Sequence, residues 1–234
     1  MSASPVTSMT ALRAVAALTW RRAVRSRTLL VSVPLAILPL IQGVVLRVVP
    51  ELSRLDSASV WRSLLVPEFL LLAVLCPLFA AASLGDEIES GTMTYLWSRP
   101  VPRWTIAAGK LLALTPLVAA LLLGSAVAAM LVARGTWPPT WGLVALGVGA
   151  VTISVAATGI AMLVPKHSMV VPMAYFLFVD LPIGELPMAL MRLSMTYHLR
   201  QLADGAAVST ALLWLCGLMA TWAAVGLWRL KNFE

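Results

Sequence analysis

The chain has 234 residues, of which 60% are apolar and 12% are charged, whereas about 25% of the residues in an ordinary soluble domain are charged. Its mean hydropathy is +0.92, and this composition excludes a soluble globular protein. Several uncharged runs are long enough to cross about 30 Å of hydrocarbon, so we predict an all-α integral membrane protein with six transmembrane helices. Short loops and tails make up the rest, which leaves no room for a separate soluble domain of about 50 residues or more.

The net charge is +7, and the basic residues lie at the ends of apolar runs rather than in one patch. This placement is typical of membrane proteins beside lipids, and we therefore expect no nucleic-acid partner. Cys76 and Cys216 both lie inside apolar runs, so neither a disulfide nor a metal site is expected. No cofactor is expected in this chain.

Residues 1–28 are predicted to form an N-terminal tail and an amphipathic helix at the membrane interface, because apolar residues between Leu12 and Val24 share one helical face. Residues 29–234 then form a single transmembrane domain. Its predicted spans cover about 29–46, 64–84, 111–133, 141–164, 169–191 and 206–228. More basic residues fall on the side of the termini than on the other side, which predicts that both termini are cytoplasmic.

The fifth span is predicted to be broken. Only 168–179 is uncharged, and the charged and helix-breaking residues that follow are Asp180, Pro182, Gly184, Glu185 and Pro187. We expect a helix to about Leu181, a bent or re-entrant piece through Met191, and a polar stretch from Arg192 to Asp204 on the outer side.

Tryptophans and glycines near the span ends suggest two packing roles. Four tryptophans are interpreted as interface anchors, namely Trp61, Trp104, Trp137 and Trp141. Three glycines of the fourth span are expected to allow close helix packing, namely Gly142, Gly147 and Gly149.

Enzyme motifs do not occur in the sequence. His167 and His198 fall on opposite sides of the predicted membrane, and no H-E-x-x-H, G-x-S-x-G or phosphate-binding G-x-x-x-x-G-K-[ST] motif is present. An intramembrane enzyme is therefore disfavoured, and we expect no ATP site of the phosphate-loop type in the chain.

The connection between the second and third spans, residues 85–110, reads GDEIESGTMTYLWSRPVPRWTIAAGK. Its acidic residues end the second span, its Gly-Thr pair permits a turn, and its two prolines stop a short amphipathic helix. The segment is therefore predicted to be a folded cytoplasmic elbow.

This elbow resembles that of permease subunits of ABC-2 type ATP-binding-cassette transporters, whose pattern is E-x-x-x-G-T followed by Pro, Arg and Gly-Lys. The matching residues are Glu87, Gly91, Thr92, Pro100, Arg103, Gly109 and Lys110. The entry sequence ALTWRRAVRSRTLL resembles the connecting helix of the same family.

The resemblance implies a type V exporter fold with six helices per subunit, an external helical hairpin after the fifth span and a coupling helix over 87–97. It also implies two permease copies, here expected to be a homodimer, above an ATPase subunit dimer that binds ATP and Mg. The expected location is the cytoplasmic (inner) membrane of a prokaryote. A hydrophobic or amphipathic substrate is expected, and the alternative is a membrane scaffold or assembly factor that binds protein partners through the elbow.

Two groups of candidate site residues follow. The ATPase-coupling group is Glu87, Glu89, Gly91, Thr92, Arg99, Pro100, Arg103 and Lys110, and its alternative interpretation is a solvated loop. The second group, a possible substrate site or external gate, is Asp180, Glu185 and Glu68, because ionisable groups in membrane segments are costly and often functional. For Asp180 and Glu185 we favour a position on the outer surface.

Overall fold

The computed structural model describes residues 8–89, 103–187 and 189–231, and within these ranges every regular element is helical. Five helical segments in these ranges are long and apolar enough to cross a membrane, and the first of them is divided into two helices. The predicted all-α membrane protein is thereby confirmed. The helices are α1 (Ser8–Val24), α2 (Arg27–Ala36), α3 (Leu38–Val48), α4 (Pro50–Ser53), α5 (Ser57–Glu89), α6 (Arg103–Arg134), α7 (Thr140–Leu163), α8 (Val170–Tyr175), α9 (Leu181–Ile183), α10 (Met195–Ala203) and α11 (Val208–Lys231).

The first apolar segment, Arg27–Val48, is divided into α2 and α3 at Ile37. Pro34 lies inside α2 and Pro39 in the first turn of α3, and proline lacks the N–H that would continue the helical hydrogen bonds. The Gln42 side chain of α3 donates to the Ser63 carbonyl at 3.0 Å. This bond joins the segment to α5.

Helices α5, α6 and α7 form the centre of the bundle, and their apolar residues belong to one buried cluster. Gly142 permits the closest contact, because a Cβ there would lie 2.2 Å from the Trp61 ring. Trp61 is buried, so its interpretation as an interface anchor is wrong, whereas Trp104, Trp137 and Trp141 are exposed.

Helix α11 packs against α7 backbone to backbone. A Cβ on Gly159 would lie 2.3 Å from the Trp222 carbonyl oxygen, and a Cβ on Gly226 would lie 3.0 Å from the Gly159 Cα. Small residues permit such close approach between membrane helices. Close helix packing was also predicted for Gly147 and Gly149. A Cβ on Gly149 would contact Leu72 and Leu199, whereas a Cβ on Gly147 would meet nothing within 4 Å.

The segment between α7 and α11 is broken, as predicted. Helix α8 continues into a π-helical turn over Phe176–Asp180 and then α9, and a 3-10 turn over Ala189–Leu193 leads to α10. The expectation of a merely polar outer stretch over 192–204 is wrong, because α10 buries one apolar face in the core through Met195, Leu199 and Leu202. Ser194 caps α10 by accepting from the Tyr197 N–H at 3.1 Å.

The connection between the first segment and α5 is tied to the end of α6. The Arg134 guanidinium donates to the Ser53 carbonyl at 2.7 Å and also to the Leu55 carbonyl. Helix α5 then begins after Asp56, and a hydrogen bond from Ser59 lowers the pKa of the Asp56 carboxyl.

Candidate functional site

The end of α5 and the start of α6 lie at the same end of the bundle. The two helices run antiparallel, and Glu68 contacts Ser125 where they cross. Glu89 is 21 residues beyond Glu68, since 89 − 68 = 21, and Arg103 is 22 residues before Ser125, since 125 − 103 = 22. Lengths that differ by one residue, at about 1.5 Å per residue, bring both helix ends to nearly the same level. The predicted elbow therefore starts and finishes at one end of the bundle.

The amphipathic helix α1 packs against the first turns of α6, beside this elbow. A Cβ on Gly109 would lie 3.0 Å from Val15 and 3.1 Å from the Leu12 carbonyl oxygen. The glycine therefore lets the two helices approach closely. Lys110 is only 4% exposed and has an interaction partner. Its ammonium is thus inside the α1–α6 region rather than on an exposed docking surface.

The remaining coupling candidates are placed only in part. Glu87 and Glu89 lie in the last turn of α5, and Arg103 is the first residue of α6. The other candidates, namely Gly91, Thr92, Arg99 and Pro100, lie outside the described residues.

Glu68 is completely buried between α5 and α6. The Ser125 hydroxyl lies 2.9 Å from its Oε1 and 3.1 Å from its Oε2, and it also lies 2.9 Å from the Leu122 carbonyl. A hydroxyl has one proton to donate and can accept as well. No ion pair of Glu68 occurs in the described parts of the chain, so this single serine satisfies a carboxyl group in an apolar setting.

Asp180 is 2% exposed, and its expected position on the outer surface is therefore wrong. Its carboxylate accepts from the Met195 N–H at 2.9 Å, from the Thr196 N–H at 3.0 Å and from the Thr196 hydroxyl. The N–H groups at the start of a helix have no partner within the helix. Asp180 supplies that partner for α10 and thus fixes its entry into the bundle.

Glu185 does lie on the surface, with 64% of its side chain exposed, and it pairs with Arg200 of α10. The Arg200 guanidinium also lies 5.6 Å from the centre of the Phe69 ring, where a cation–π interaction forms. Neither member of this pair bonds to Glu68, whose hydrogen-bond partner among the described residues is Ser125. The structure therefore does not join the three acidic candidates into one site.

The depth of α10 follows from its contacts. Asp204, just past its end, is 3.9 Å from Arg62, and a Cβ on Gly205 would lie 3.1 Å from Trp141. These partners lie near the starts of α5 and α7. Because nine residues of helix measure about 13 Å, Met195 at the other end lies well inside the bundle. Helix α10 thus runs from inside the bundle out to this end and carries Tyr197, Arg200 and Gln201.

Sequence reasoning did not single out Ser125 or Arg200. One signal for them was present in the sequence: the acidic candidates needed hydrogen-bonding neighbours, because a carboxyl within an apolar run requires such a partner. In the described ranges, 8–89, 103–187 and 189–231, no group of three or more His, Cys, Asp and Glu residues could hold a metal ion.

Comparison with known proteins gives one family. The family model described as "ABC-2 family transporter protein" matches residues 21–182, which include α2 to α8 and the elbow. No curated protein matches the chain.

Proposed function

Because the chain belongs to the ABC-2 family of transporter proteins, we propose that it is the membrane-spanning permease subunit of an ATP-driven exporter. In this proposal a separate ATPase subunit dimer binds and hydrolyses ATP with Mg, and two copies of the chain form the translocation pathway. The location is the inner membrane of a prokaryote with both termini cytoplasmic. The observation that carries the proposal is the family match over the helices on both sides of the elbow.

The geometry of the elbow supports a coupling role. Its two ends meet at one level of the bundle, and α1 packs beside them through Gly109. A rigid platform transmits the motion of a bound partner, whereas a flexible loop absorbs it. We propose that Glu87, Glu89, Arg99 and Arg103 contact the ATPase and that Gly91, Thr92 and Pro100 shape the coupling helix. Lys110 would contribute through the packing of α6.

The polar face of α10 supports a pathway on that side of the bundle. Arg200 is partly exposed and Glu185 is exposed, and ionisable side chains in membranes face a bundle interior or a water-filled cavity rather than lipid. We therefore propose that this face lines the route of the substrate or meets the second permease copy. Glu68 is sealed from it and supports the packing of α5 on α6.

The test is affinity purification of the tagged chain from its native membrane in mild detergent, followed by identification of partners and an ATPase assay. The proposal predicts a stoichiometric nucleotide-binding partner that is lost from the Glu87→Ala/Arg103→Ala variant. A matched control, Glu51→Ala/Arg54→Ala, removes one acid and one base at the opposite end of the bundle and should keep the partner. Purification without any nucleotide-binding protein would contradict the proposal and favour a membrane scaffold.

A further inference from the structure

A cleft of about 310 Å³ lies between α10 and the first turns of α11. One wall is formed by residues of α10 and the preceding turn, and the other by a face of α11 that includes Thr210 and Trp214. Tyr197 and Gln201 of the polar face of α10 line this cleft, and the proposed function names no ligand for it. We infer that it binds the phosphate headgroup of an amphiphile, with the hydrocarbon part of that ligand lying along α11.

The charge of the cleft selects an anion. Arg192 lines it, and the Arg192 guanidinium has no hydrogen bond or ion pair with the described residues. Among the described residues that line the cleft, none is acidic. A guanidinium offers a planar set of N–H donors that matches phosphate oxygens. Tyr197, Gln201 and Thr210 add neutral hydrogen-bonding groups around it.

His198 fixes the position of Arg192 and adds one more polar atom. Its Nε2 lies 2.8 Å from the Arg192 carbonyl oxygen, and because a carbonyl only accepts, Nε2 is the donor. The other ring nitrogen, Nδ1, has no partner in the described residues. The ring also stacks on Trp214, with centroids 5.6 Å apart and planes 7° apart. The stacked rings of His198 and Trp214 therefore form an aromatic part of the cleft wall.

The position of the cleft favours an amphiphile over a free anion. Its upper end lies near Gly205, which contacts Trp141 at the end of the bundle. Trp214 lies six residues into α11, about 9 Å deeper. The headgroup region of a bilayer is about 5–7 Å thick on each side. Trp214 therefore reaches the outer edge of the hydrocarbon core. Beside it Leu213 is 73% exposed, and below it the exposed residues Cys216, Gly217 and Ala220 carry no charge.

The test measures binding of a short-chain lipid to the full chain purified in a non-ionic detergent. The probe is dihexanoyl phosphatidylglycerol, compared with dihexanoylglycerol, which lacks the phosphate, and with inorganic phosphate alone. We expect the phospholipid to bind at least tenfold more tightly than either comparison ligand. Arg192→Gln should weaken its binding about tenfold or more, whereas Arg192→Lys, which keeps the cation but loses the planar set of donors, should weaken it less than Arg192→Gln does.

The control variant is Arg54→Gln, which removes an exposed arginine at the same end of the bundle and should alter binding less than twofold. Equal affinity for inorganic phosphate would overturn the amphiphile, and equal affinity for dihexanoylglycerol would overturn the phosphate contact. Absent binding, or binding that Arg192→Gln does not change, would overturn the site. If Arg192→Gln converts a dimer of the chain into a monomer without changing its lipid affinity, the cleft would be assigned to contact with a second copy instead. None of these results depends on the ATPase, so they do not decide the proposed function.

Discussion

Removing the Ser125 hydroxyl should destabilise the protein through Glu68. In Ser125→Ala the buried carboxyl loses its hydrogen-bond partner, and such a loss costs about 1–3 kcal/mol. Single hydrogen bonds between membrane helices are worth about 0.6 kcal/mol on average and about 1.7 at most. We therefore expect a loss of about 1–2 kcal/mol in the free energy of unfolding. The double variant Glu68→Met/Ser125→Ala removes both polar groups and should lie close to wild type.

The measurement is unfolding of the purified chain in mixed detergent micelles by added dodecyl sulfate, followed by tryptophan fluorescence. Wild type, the two single variants Glu68→Met and Ser125→Ala, and the double variant form a double-mutant cycle. This cycle gives the coupling energy between the two side chains, which we expect to be about 1 kcal/mol. Ser154→Ala is the matched control, because the Ser154 hydroxyl is buried in α7 without a hydrogen-bond partner in the described residues. It should cost less than about 0.5 kcal/mol. Additive effects of the Glu68 and Ser125 substitutions would refute the reasoning.

Three further substitutions test other contacts. Gly159→Ala places a methyl group against the Trp222 carbonyl and should cost about 1–3 kcal/mol of unfolding free energy by overpacking. Arg134→Gln loses charged donors to the carbonyls of 53 and 55, and we expect a loss of about 1.5–3 kcal/mol with faster proteolysis of that connection. Asp180→Ala leaves the first N–H groups of α10 without their acceptor and should cost about 0.5–2 kcal/mol.

Controls for these substitutions come from the same chain. Gly147→Ala adds the same methyl group on the same helix where a Cβ meets nothing within 4 Å, so stability should not fall. Equal losses for Gly147→Ala and Gly159→Ala would show that helix α7 tolerates neither substitution and that the contact with α11 is not the cause. Unchanged proteolysis in Arg134→Gln would contradict the anchoring of the connection. For Asp180→Ala, unaltered hydrogen exchange at the start of α10 would contradict the capping role.

The long helices were predictable because their hydrophobic runs are uninterrupted. Thr140–Leu163 and Trp104–Arg134 contain the predicted fourth span, 141–164, almost entirely and the predicted third span, 111–133, entirely, and neither predicted span contains a charged residue. The break after α9 was predictable as well, because Gly184 and Pro187 follow that helix and neither residue favours its continuation. Helix α10 was not, because its polar face obscured an apolar face that only tertiary packing makes visible.

The failures at single residues have one physical cause. Trp61 and Trp137 both stand near span ends in the sequence, yet Trp61 packs on Gly142 and Trp137 is 68% exposed. Periodicity gives the face of a helix but not its neighbour across the bundle. Asp180 illustrates the same limit, because its partners in α10 lie at least 15 residues away.

The most direct test of the permease account is the mass of the intact complex. Native mass spectrometry of the tagged chain, released from its own membrane with nucleotide and Mg present, should show two copies of the chain with two copies of a nucleotide-binding subunit. The same preparation should hydrolyse ATP. A chain that is released alone, or only with proteins that bind no nucleotide, would contradict the account.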